Sequence, residues 1–288
     1  MIVAAIVLAT LVTEAPPAKV TSADWMPLIQ KNEYDKAKRL CTTWLDRGDD
    51  TSKAEAHKCL ANVELFSVGQ HKIRLQGNGR GGGSLGPGYD PEPALRAVEH
   101  LDVAVILAPQ DITIHQGRLH VLELATMYDR MCTAMEQSIK LYKGPDALGT
   151  WIAYPAELID GGQPKAAEAL LLLLEKYYPG DHRVSGDLAA LCGLTERDEE
   201  ALAWAKKAVA AAPGDPVDTW NLARIYDYTG KIDLADAAYQ KALPLQSAGY
   251  RTQASCTYAE FLEQRKKDLP RACELQRQGG CPTSACRP

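Results

Sequence analysis

Small residues recur along this chain at one fixed step. Ala167, Ala201 and Ala235 lie 34 residues apart, as do Ala208 and Ala242, and the pairs Pro179/Pro213 and Leu188/Leu222 keep the same spacing. A period of that length holds one helix–turn–helix unit, whose apolar face cannot be buried by the unit alone. Stacking the units solves the problem, with a small residue wherever two helices cross and bulky residues filling the spaces between. The step therefore predicts an all-α array of helix pairs. The composition agrees with a folded chain: 46% of the 288 residues are hydrophobic and 24% charged. With 32 basic against 37 acidic residues the net charge is −5. No basic patch stands out, so nucleic acid is not expected as a partner.

The clearest units are 148–181, 182–215 and 216–249. In the last, Leu222-Ala223, Tyr226, Ala235, Tyr239 and Ala242 alternate small and bulky residues along two helices. The middle unit supplies Leu188-Ala189, Ala201, Ala208 and Pro213, and the first supplies Trp151, Ala167 and Pro179. On these residues the chain resembles the tetratricopeptide repeat family. The resemblance is specific over 148–249 and looser over 91–145. It implies a right-handed α-solenoid of stacked helix–turn–helix repeats and a concave face that binds a protein or extended peptide without catalysis. The first unit departs from the pattern, with Pro155 and Leu174 where small residues are expected, which predicts a bent or shortened helix near Pro155.

Upstream, 112–145 reads as a further unit and 91–109 as a second helix whose partner is Ser52–Gln70. Asp90 is expected to cap that second helix and Pro91 to open it. An earliest unit covers about 21–47. At the far end, 250–266 and 269–277 make a capping pair before a cysteine-rich tail. The expected organisation is an apolar leader-like segment (1–17), a repeat array (18–249) and a cap with tail (250–288). The stretch Met1–Val12 has the length of a signal-peptide apolar region and is too short to span a bilayer as a helix. Export to the periplasm or outside is the expected localisation, with a cytoplasmic location as the alternative.

Eight cysteines fit an oxidising compartment. Four of them, Cys256, Cys273, Cys281 and Cys286, crowd the C-terminus and allow three connectivities. Cys256–Cys273 with Cys281–Cys286 is the preferred pairing. Cys41, Cys59, Cys132 and Cys192 read as small core residues.

The insertion 76–90 (QGNGRGGGSLGPGYD) matches both GxGxxG and GxSxG, matches that its glycine density nearly forces. A dinucleotide loop or a nucleophile elbow needs a preceding strand, and this region follows a helix. The insertion reads as a loop or a flap carrying Arg74, Arg80 and Tyr89. A small-ligand or enzymatic role for it is the alternative to groove binding. His115 and His120 are five apart and point about 140° away from each other on a helix, so no metal is assigned and no cofactor is expected. Carrying the resemblance over unit by unit, the groove-facing positions are Gln116, His120 and Glu123, then Arg183 and Asp187, then Trp220, Asn221, Arg224, Asp227 and Tyr228. The last group has the residue types that dominate binding interfaces. Its alternative is packing of Trp220 and Tyr228 on neighbouring helices, with Arg224 and Asp227 paired along one helix. The sequence leaves the oligomeric state open.

Overall fold

A computed structural model describes residues 19–67, 91–142 and 146–281. Among them every regular element is helical: α1 (Ser22–Gln30), α2 (Tyr34–Arg47), α3 (Asp50–Phe66), α4 (Glu92–Leu107), α5 (Ile112–Leu124), α6 (Tyr128–Leu141), α7 (Ala147–Trp151), α8 (Ala153–Asp160), α9 (Pro164–Tyr177), α10 (His182–Leu194), α11 (Asp198–Ala211), α12 (Pro216–Tyr228), α13 (Ile232–Ala242), α14 (Ala248–Phe261) and α15 (Leu269–Gly279). The segment 1–17, the insertion 76–90 with Arg74, and Cys286 lie outside the described residues, as does the expected cap Asp90. Pro91 stands at the start of α4. The chain divides into two compact units, one ending at Val121 within α5 and the other running on from Leu122.

The helix pairs are closed by a recurring turn. Gly162, Glu196 and Gly230, 34 residues apart, have φ of 72°, 59° and 74°. In each turn the next residue reaches back across the helix end: Gln163 N–H donates to Leu158 C=O at 2.8 Å, Arg197 N–H to Cys192 C=O at 2.9 Å, and Lys231 N–H to Tyr226 C=O at 2.8 Å. This is the left-handed closure that satisfies the last carbonyls of a helix. Gly adopts it without a Cβ clash, whereas Glu196 and Thr126 (φ 56°) hold it at a steric cost of roughly 1–2 kcal/mol each. Helix starts recur too. Asp111, Asp146, Asp181 and Asp215 each accept a hydrogen bond from a backbone N–H two or three residues on. They satisfy donors that a helix start otherwise leaves unpaired.

The small residues occupy the crossings. Ala167, Ala201, Ala235 and Ala242 are fully buried and Ala208 is 1% exposed. Ala235 packs with Ala223, Tyr239, Tyr258 and Phe261. Ala235→Leu forces three extra carbons into that seam and is expected to cost about 1–3 kcal/mol. Urea unfolding of the full chain checks it, and an unchanged midpoint would show a loose crossing. Near Pro155 the first helix of its pair is broken into α7 and α8 at Ile152, as the proline predicts: it lacks the N–H that would bond back to residue 151.

The cysteines correct the expectation. Cys256 pairs with Cys281, not with Cys273, and Cys273 is also oxidised. The chain leaves α15 through Gly280 in the left-handed region (φ 66°), which turns Cys281 back towards α14. Cys41 and Cys59 are not free core thiols. They form a disulfide joining α2 to α3 in the first unit, beside Trp25 and Ala37. Cys132 and Cys192 are free.

Candidate functional site

In the second unit, α10 and α12 are the first helices of consecutive pairs and lie against each other. Two glycines on α10, seven residues apart, set how close they come. A Cβ built on Gly186 would sit 2.6 Å from Asp218 Oδ1, and one on Gly193 would sit 2.6 Å from the Tyr228 hydroxyl. Both side chains come from α12 and occupy space that any other residue on α10 would fill. Between these two approaches opens a cleft of about 290 Å³ lined by Ala189, Ala190, Leu194, Asn221, Arg224 and Tyr228, among others. Its floor is small and its far rim is apolar, with Leu194 68% and Tyr228 46% exposed. A shallower hollow of about 180 Å³ follows between α12 and α14, lined by Trp220, Gln246, Tyr250 and Gln253.

The structure distributes the sequence-predicted residues unequally. Asn221, Arg224 and Tyr228 gather at the first cleft and Trp220 at the second. Trp220 also packs edge-on against buried Tyr239, with ring centroids 4.9 Å apart. Asp227 does not pair with Arg224. Its carboxylate accepts a hydrogen bond from Arg265 at 3.0 Å, and its carbonyl accepts another at 2.8 Å. Arg224 is left exposed with no carboxylate partner among the described residues. Arg183 is held by Asp181 at 3.2 Å and Asp146 at 3.6 Å. Gln116 and His120 belong to the first unit, on the part-buried and exposed sides of α5.

Two acidic positions are more buried than a groove-facing reading anticipates. Glu123 is 5% exposed. Burial first, then the neighbouring Glu157 carboxyl to which it hydrogen-bonds, push its pKa up to about 7. Asp187 is part-buried, and burial together with the Asp218 carboxylate pushes it up to about 6. Asp218 is itself raised by burial, against the lowering effect of a 2.7 Å hydrogen bond with His182 Nδ1. His182, Asp215 and Asp218 each bring one donor atom within 4.8 Å of the others. Structure accounts for all three, since Asp215 caps α12 through the Val217 and Asp218 N–H groups and His182 bonds Asp218.

The 34-residue step, the left-handed closure of each pair and the alanine-lined crossings together decide the architecture. Among the described residues the helices form tetratricopeptide-like pairs. No family model and no curated protein matches the sequence. Among solved structures, this tetratricopeptide-like chain is similar to MamA, at 17% identity with a TM-score of 0.44 over 56% of this chain and 91% of that one. It is similar to YrrB, a TPR protein with an unusual peptide-binding site, at 18% identity and a TM-score of 0.40 over 72% of this chain and 92% of that one. A third likeness is to the APC/C hetero-tetramer Cut9-Hcn1, at 14% identity and a TM-score of 0.44. There it covers 88% of this chain but spans only 44% of the other.

Sequence reasoning missed Gly186, Gly193, Glu157 and Tyr250. The signal for the first two was present: glycines seven apart on one helical face mark a surface that something approaches closely. Tyr250 lies outside the clear repeats, where the pattern gave no register.

Proposed function

We propose that the chain is a non-catalytic scaffold whose α10–α12–α14 face binds an extended segment of another protein, and that it works as an exported adaptor or assembly factor. One observation carries the reading. Leu194, Val217, Tyr228 and Tyr250 are 68%, 62%, 46% and 65% exposed along these three helices. Leu194 and Tyr228 border the cleft that also holds Arg224, which has no carboxylate partner among the described residues, and Tyr250 borders the second cleft. Aromatic, arginine and apolar side chains in one exposed patch are the composition of interface hot spots. A preformed face of this kind loses little freedom on binding. The disulfides Cys41–Cys59 and Cys256–Cys281, with Cys273 also oxidised, support an oxidising compartment. Among the described residues no helix is long and apolar enough to cross a membrane.

Site-specific photo-crosslinking tests the reading. A benzophenone side chain placed at Leu194 or Tyr250 is expected to capture a discrete partner in the native compartment. The same group at Leu172, exposed on α9, should not, and Tyr228→Ala should weaken capture at Leu194. Equal labelling from all three positions would remove the proposed face.

A further inference from the structure

The charges around the α10–α12 cleft have an order that selects its occupant. Asp187, Ala190 and Leu194 follow one another at helical spacing along one stripe of α10. Val217, Asn221, Arg224 and Tyr228 do the same on α12. Ala190 and Leu194 of the first stripe and Asn221, Arg224 and Tyr228 of the second line the same cleft, and Asp187 and Val217 each lie one helical turn before them. The 34-residue step sets Asp187 level with Asn221, so Arg224 stands three residues further along. An axial rise of about 4.5 Å combined with a helix spacing of 8–10 Å puts the two backbone positions on the order of 10 Å apart.

Neither charge is neutralised by an opposite one. Among the described residues Arg224 has no carboxylate partner, because Asp227 is taken by Arg265. Asp187 faces the like-charged Asp218, whose hydrogen bond goes to His182, and the nearby Arg183 is held by Asp181 and Asp146. Of the other described arginines in the two neighbouring pairs, Arg251 and Arg277 bond main-chain carbonyls only, while others are held by carboxylates. Arg197 pairs with Glu168 at 2.7 Å and Arg271 with Asp236 at 2.9 Å. The cleft thus holds an unpaired cation, with Ala189, Ala190 and Ile225 in its lining and Leu194 and Tyr228 at its rim, and Asp187 stands one helical turn before Ala190 on α10.

We infer that the bound segment is an extended peptide of mixed charge, whose side-chain carboxylate pairs with Arg224 and whose lysine or arginine pairs with Asp187, two or three residues away. The inference rests on the binding face proposed above and deepens it. A guanidinium matches a carboxylate bidentately, which fixes position as well as sign. An extended chain rises about 3.4 Å per residue, so two or three residues span the separation of the two protein charges once side-chain reach is added. A uniformly acidic segment would meet Asp187 and Asp218, and a uniformly basic one would meet Arg224, so each is rejected by like charge. Burial makes Asp187 titrate high, at about 6, and an arriving cation favours its ionised form. Affinity for the mixed-charge peptide should therefore rise as the pH is raised through about 6. Asp218, which faces Asp187, lies in turn with His182 and Asp215, their donor atoms within 4.8 Å of one another.

The test is selection from a display library of random twelve-residue peptides on the full-length protein, followed by affinity measurement with C-terminally amidated peptides. Amidation removes the terminal carboxylate, so only side-chain acids remain. The expected winners carry an acid and a base two or three positions apart. Arg224→Glu should weaken the best of them tenfold or more, and exchanging the peptide's acid for lysine should restore binding to that variant. Asp187→Asn should remove the preference for a base. If Leu194→Asp or Tyr228→Ala abolishes binding while Arg224→Glu and Asp187→Asn change it less than twofold, the charge pairing is overturned and the binding face stands. If none of the four substitutions alters binding, or no sequence is enriched over bait-free controls, both fall.

Discussion

Asp236→Ala is expected to destabilise the chain by about 3 kcal/mol, which falls among the larger single-residue effects. Asp236 is 7% exposed on α13 and ties the last two pairs together. Its carboxylate accepts two hydrogen bonds from Arg271 of α15, at 2.9 and 3.1 Å, and one from the Tyr258 hydroxyl of α14, at 2.5 Å. Removing it leaves a guanidinium and a phenol without their acceptor beside the stacked rings of Tyr239, Tyr258 and Phe261. The Arg271 side chain is 38% exposed, so water takes up part of the loss and the effect stays at the low end for a buried ion pair. Burial alone would raise the carboxyl's pKa. Arg271, Tyr258 and Gln240 outweigh it and hold the group well below the usual range. A carboxylate with a depressed pKa in the folded state gives stability that is complete above its unfolded value near 4 and fades as the pH falls below it. Wild type and Asp236→Ala should therefore differ most in urea unfolding at neutral pH and converge in acid. A constant difference down to pH 2 would refute the ion-pair account.

Glu123→Gln should act in the opposite direction. With the carboxyl of Glu123 at about 7 in the folded chain, against about 4.5 for the free group, the folded state prefers the protonated form. Wild-type stability therefore falls as the pH rises from about 4.5 to 7. The difference of about 2.5 units corresponds to roughly 3 kcal/mol at pH 8. The amide of Gln keeps a donor for Glu157 and carries no charge to bury. The variant is expected to match wild type at pH 4 and exceed it by up to that amount at pH 8, read from chemical unfolding at both values. A variant less stable than wild type at pH 8 would mean that ionised Glu123 is held by a favourable partner.

These two cases show where the sequence was legible. The alanine step, the broken helix at Pro155 and the final capping pair follow from spacing and backbone chemistry, which are local. The contacts of Asp236 join residues 22 and 35 positions apart, across helices whose relative rotation no pattern in the chain states. The disulfides failed for the same reason. Cys41 and Cys59 read as apolar-face residues because burial and bonding look alike in a sequence, and the preferred partner for Cys256 ignored the reversal at Gly280. Asn221, Arg224 and Tyr228, expected from repeat register, line one cleft. The loss of Asp227 to Arg265 was not expected, because the second half of that pair comes 38 residues later, beyond the clear repeats. The Glu123–Glu157 pair does keep the 34-residue step, yet like charges at that step are read as surface unless burial is known.

The turns that close the helix pairs share the same main-chain reach-back bond at residues 163, 197 and 231, and the Thr195 and Thr229 hydroxyls in two of them bond back to the preceding helix. What holds a hairpin shut is therefore separate from what its outward side chains carry. Exposed positions along the helices can therefore drift, while the hinges and seams go on assembling as before.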